Sequence, residues 1–93
     1  MNTDLTANEL AAALALVSRC LRNMGGTRPA DLDNDPFTWV ESGDLIAAGW
    51  TRHAANGTFG TLMGKGFIDH DGSQDWSLSV EAYRWLDTVW DGR

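Results

Sequence analysis

The alternation of apolar and polar positions opens on one long helical stripe. Leu10, Leu14, Val17, Leu21 and Met24 follow one another at spacings of 4, 3, 4 and 3. Thr6-Ala7-Asn8-Glu9 stands just ahead of them as a capping box, the Thr6 hydroxyl accepting from the Glu9 amide and Glu9 reaching back. Ala11, Ala12, Ala13 and Ala15 favour helix, Arg19 and Arg22 suit the dipole of the last turns, and Gly25-Gly26 ends the element. The pattern predicts a helix over residues 6–24.

The pattern lapses over residues 25–36, GGTRPADLDNDP, a loop by composition with Asp31, Asp33 and Asp35 at alternate positions. A calcium loop needs Gly where Pro36 stands and a bidentate Glu that does not follow, so a solvated acidic loop is the better reading. Phe37-Thr38-Trp39-Val40 are strand formers, with Phe37 and Trp39 on one face. Ser42 can cap a brief helix over 42–49 in which Leu45, Ile46 and Ala48 face inward. Gly49 stops it, and Thr51 caps another helix, over 51–64, after a turn of about three residues. There Ala55, Phe59, Leu62 and Met63 form the buried face. Gly57 and Gly60 inside that helix cost roughly 1 kcal/mol each against Ala, which close approach of a backbone or tertiary packing has to offset.

Past Lys65-Gly66 the period changes from helix to strand. Residues 67–78 read as two strands around a polar turn at Asp71–Asp75, with Trp76 and Leu78 on one face and Ser77 on the other. Ser79 caps a last helix over 79–90, with Val80, Tyr83, Leu86 and Trp90 inward and Glu81, Arg84 and Asp87 paired along its wet side. The fold class expected is mainly α with a small β-hairpin, in a single domain over 1–93.

The 93 residues carry 13 acids against 7 Lys and Arg, a formal charge of −6. A chain of this length buries roughly 60–65% of the surface it exposes when unfolded, and five Trp, three Phe and one Tyr supply large apolar side chains. The single Cys20 excludes an intramolecular disulfide framework, fits a reducing cytoplasm, and reads as a small buried thiol rather than a nucleophile. No apolar run has the form of a signal peptide or a membrane span.

The stretch GTFGTLMGKGFIDHDGSQDWSLSVEAYRWL resembles the winged helix-turn-helix of many small bacterial and phage regulators. Leu62, Lys65, Gly66, Phe67, Ile68, Leu78 and Ser79 carry that likeness, which covers about residues 37–90. The resemblance implies a recognition helix over 51–64 that enters the major groove and a wing that touches the DNA backbone. On it, Arg52, His53, Asn56 and Lys65 are the candidate DNA-binding residues, Arg52 and Asn56 being suited to guanine and adenine edges. Arg19, Arg22 and Arg28 can add phosphate contacts, and a homodimer can align two small basic patches. A regulator-type DNA-binding function is therefore the first expectation.

The wing departs from the regulator pattern, because Asp69, Asp71 and Asp75 stand where backbone-contacting hairpins carry Arg or Lys. That gives a second expectation: an acidic phage or mobile-element protein that inhibits a host complex, as an anti-CRISPR does, through a DNA-mimic-like surface. Asp31, Asp33 and Asp35 with Asp69, Asp71 and Asp75 would supply the charge, and exposure of Phe67 or of some Trp would strengthen it. Neither expectation involves a cofactor, a metal or catalysis. His53 and His70 lack ligand-spaced company. The acidic wing lacks the Gly and the twelfth-position Glu of a calcium loop. Asn56-Gly57-Thr58 matches a glycosylation acceptor by chance, with no secretory signal beside it.

Overall fold

The computed structural model describes residues 1–70 and 75–92, and the expected turn at Asp71–Asp75 lies outside them but for Asp75. Helix α1 spans Ala7–Met24. Its capping box is formed: Glu9 N donates to Thr6 Oγ1 at 3.1 Å and Thr6 N donates to Glu9 Oε1 at 2.9 Å. Gly25, at φ 76°, closes it with its amide on the Leu21 carbonyl, a left-handed geometry that glycine adopts freely. The helix is buried more broadly than one stripe, since Ala12, Ala13, Leu16 and Cys20 are sealed along with Leu14, Val17 and Leu21. It is the element the others pack around.

Residues 25–36 are not merely a solvated loop. Pro29–Asp33 forms a 3-10 helix with Pro29 and Leu32 buried. Asp31 explains its start: its Oδ2 accepts from the amides of Thr27 and Arg28 at 2.8 and 3.1 Å, satisfying donors that no carbonyl reaches. Strand β1 is only Trp39–Val40, helix α2 spans Ser42–Ala47, and helix α3 spans Arg52–Gly64. The N-cap of α2 is Glu41 rather than Ser42, and Asp44 Oδ2 accepts from the Glu41 amide at 2.9 Å. Ala48 turns outward, because the helix has already ended where it stands. Gly49, at φ 116°, and Trp50 then bring the chain to Thr51, whose side chain accepts from the Ala54 amide.

Strands β2 (Ile68–His70) and β3 (Trp76–Leu78) precede helix α4 (Val80–Thr88). The sheet has the order β1-β3-β2, all antiparallel, with Trp39 and Asp69 both registered against Ser77 and Ile68 against Leu78. One face of it feeds Val40, Ile68 and Leu78 into the core beside Leu45, Leu62 and Leu86. Ser79 caps α4 through the Ala82 amide. Val80, expected inward, is 48% exposed, since the buried face of this short helix runs through Ala82, Tyr83 and Leu86. The domain is mainly helical with a small three-stranded sheet, an arrangement compatible with a winged helix. No helix among the described residues is long and apolar enough to cross a membrane.

Candidate binding surfaces

Three of the four candidate DNA-binding residues share one end of α3. Arg52, His53 and Asn56 lie on its first two turns, all exposed, and their side chains make no hydrogen bond or ion pair among the described residues. Arg52 stands at the first helical position with no acid in the first turn, where a cation opposes the helix dipole. The exposed face continues through Gly57, Gly60 and Gly64, and a Cβ added at any of the three meets nothing within 4 Å. No close approach inside the fold therefore accounts for these glycines. No acid occurs between Asp44 and Asp69, so the whole of α3 is free of negative charge.

Lys65 is elsewhere and otherwise engaged. It caps the far end of α3, and its Nζ donates to Glu9 Oε1 at 2.8 Å and to the Asp4 carbonyl at 2.7 Å. The Lys65 ammonium, with the Thr6 amide, holds the Glu9 carboxyl below its usual range. Arg28 and Arg84 are committed as well. Arg28 grips Asp87 through two nitrogens at 2.9 and 2.6 Å, and Arg84 reaches Asp33 at 3.0 Å. The i,i+3 pairs expected along α4 do not form, because Arg84 and Asp87 reach across to the 3-10 helix and its flank instead. Arg19 lies 4.0 Å from Asp44. Among the described residues, Arg22 and Arg52 are the cations with no ion pair.

The same contacts divide the acids. Asp31 and Asp33 have structural tasks. Asp31 is held below the ordinary carboxylate range by the Thr27 and Arg28 amides, and Asp33 by Arg84 and then by the Tyr83 hydroxyl, which donates at 2.8 Å. Asp87 is lowered in the same direction by Arg28. Asp35 and Asp69 are exposed, and their side chains form no hydrogen bond or ion pair among the described residues. Asp75 is exposed too, and Asp71 lies outside the described residues.

The aromatic side chains sort sharply. Phe67 is fully buried with its ring edge-to-face on Trp85, and Trp50, Trp76, Trp85 and Trp90 are half-buried. Trp39 is 57% exposed and Phe37 43%, and their rings meet edge-to-face at 5.5 Å. Expecting these two on one face was correct, but their exposure is not visible in the sequence, where both read as strand formers. Cys20 is sealed against the Trp39 carbonyl at 3.8 Å, and burial pushes its thiol pKa up to about 12, which leaves no thiolate to react at neutral pH.

A groove of about 670 Å³ runs along Ala11, Ala15 and Ser18 of α1 between Trp50 and Trp90, both of whose indole N–H groups are already paired. Among the described residues, no three His, Cys, Asp or Glu side chains are grouped to hold a metal ion. Compared with protein-family models, with curated proteins and with solved structures, the chain matches none.

Proposed function

We propose that this chain is a non-enzymatic winged-helix module whose partner is a protein rather than free duplex DNA. The winged-helix part rests on the sheet order β1-β3-β2 and on the α2–α3 pair joined through Gly49. The choice of partner rests on where the cations are. Arg28, Lys65 and Arg84 are each neutralised by a carboxylate within 3.0 Å, which leaves Arg22 and Arg52 without an ion pair among the described residues. Non-specific duplex affinity comes from Lys and Arg that neutralise phosphates and release counterions, each neutralised phosphate adding about −0.9 to the salt slope. With Arg22, Arg52 and the loosely held Arg19 as the cations left among the described residues, and a net charge of −6, the electrostatic term that supplies non-specific DNA affinity is small here.

The test is a mobility shift with random duplex at low salt, where the expected result is no retardation at high protein concentration. Retardation removed by Arg52→Ala would reverse the choice. One observation favours that second reading, DNA recognition by α3. Its outer face is free of acid and presents Arg52, His53 and Asn56 without partners among the described residues.

A further inference from the structure

We infer that the exposed Phe37–Trp39 pair, with the carboxylates on either side of it, receives a Lys- or Arg-bearing segment of the protein partner. The inference rests on the protein-partner reading and names where that partner docks.

The aromatic pair is the starting point. Most aromatic rings of this chain are buried or half-buried, yet Trp39 and Phe37 are left open and meet edge-to-face. Trp is among the residues most enriched at binding hot spots. Trp is also the aromatic ring that attracts a cation best.

Charge then selects the occupant. On one side, Trp39, Ser77 and Asp69 form a single row across the sheet, each registered to the next, which puts the Asp69 carboxylate two strands from the indole. Adjacent strands lie about 4.8 Å apart, so the row is about 10 Å long, within reach of one extended Arg or Lys side chain and its neighbour. On the other side, Trp39 borders a cleft of about 260 Å³ that is also lined by Glu41, Asp44, Asp75, Trp76 and Arg19. The exposed Glu41 carboxylate opens onto that cleft, and the Arg19 guanidinium there stands 4.0 Å from Asp44, whose Oδ2 is also taken by the Glu41 amide. A nucleic acid or an anionic membrane would be repelled, and a second copy of this chain would bring the same negative charge. A basic polypeptide is what the patch fits: cation on indole, with carboxylates at both ends to orient it.

The experiment titrates the whole chain, labelled with 15N, with an acetylated and amidated (Gly-Arg)4 peptide in 150 mM salt, and with (Gly-Glu)4 as control. The Trp39 indole N–H and the Asp69 amide should move with (Gly-Arg)4 and not with the control. Trp39→Ala should lower the affinity about fivefold and Asp69→Asn by a smaller factor, while Asp4→Asn, a carboxylate near the N-terminal end of the chain, should leave it unchanged. Because Trp39 is mostly exposed, Trp39→Ala leaves the core intact, and an unchanged spectrum elsewhere verifies this. Shifts spread over every surface carboxylate, with Trp39→Ala and Asp4→Asn equivalent, would mean diffuse attraction and overturn the site. No binding of the basic peptide would overturn it too. The protein-partner reading fails on a different result, duplex retardation, so the two fail separately.

Discussion

Lys65 and Glu9 join the two ends of the domain's core helices, with Nζ 2.8 Å from Oε1 where the C-terminus of α3 meets the N-terminus of α1. The same Glu9 oxygen accepts the Thr6 amide, so one carboxylate closes a capping box and an interhelix pair together. Lys65→Met should therefore lower the thermal midpoint measured by circular dichroism. An unchanged midpoint would show that the pair adds nothing to the stability of the fold.

Acid should weaken the fold in a defined direction. Glu9, Asp31, Asp33 and Asp87 all have folded-state pKa values below their ordinary ones. Depressed carboxylates add stability that is fully present above their unfolded values, about 4, and is lost as pH falls through the folded ones. Urea midpoints should hold from neutral pH to about 5 and then drop, and Asp87→Asn should make the drop shallower. A midpoint flat down to pH 2 would contradict these pairings.

The clamp between the 3-10 helix and α4 should make the segment around Leu32 resistant to proteolysis. Arg28–Asp87 and Arg84–Asp33 bridge it at two points while Leu32 is sealed beneath. Asp87→Ala should expose cleavage sites at Asp31, Asp33 and Asp35 under mild treatment with Asp-N, which cuts ahead of Asp, at rates well above wild type. Equal digestion rates would show that the apolar anchors suffice without the ion pairs.

The glycines of α3 offer a stabilisation test. Gly60→Ala adds a Cβ that meets nothing within 4 Å, and Ala is favoured over Gly in a helix interior by about 1 kcal/mol. Stability should rise by roughly 0.5–1 kcal/mol in chemical denaturation. In contrast, Leu62→Ala, beneath the same helix and fully buried, should cost about 2–5 kcal/mol.

Cys20 should be inert to thiol reagents until the protein unfolds. It is fully buried and its pKa is pushed up to about 12. Rapid labelling in native buffer at pH 8 would show that α1 and β1 open locally far more often than their packing implies.

Much of this architecture was legible because local chemistry writes it. Thr6, Thr51 and Ser79 each announce a helix start through an oxygen that accepts from the third residue on, and no distant contact is needed to see it. The 3-10 helix at Pro29–Asp33 was hidden because its stability comes from outside. Its anchors are Asp87, Tyr83 and Arg84, fifty or more residues away, so composition alone reads it as loop. The candidate surfaces were harder for the same reason. Sequence lists Lys65 and Arg52 as equal cations, and only the fold shows one spent on Glu9 and the other without a partner among the described residues. Trp39 and Trp76 look alike as strand residues, yet register sends them to opposite faces of the sheet.

The sheet order also sets a sequence of events in folding. Because β3 is the middle strand, β1 has no neighbour to bond with until the chain has been made as far as Ser77. The helices rest on near-neighbour contacts and can form early, whereas the first strand must wait through the closure of a long loop. The φ-values of Val40→Ala should therefore be near zero and those of core positions in α1 distinctly higher. A chain interrupted before β3 would hold two unpaired strands and an uncovered apolar face, the form of this protein most prone to aggregate.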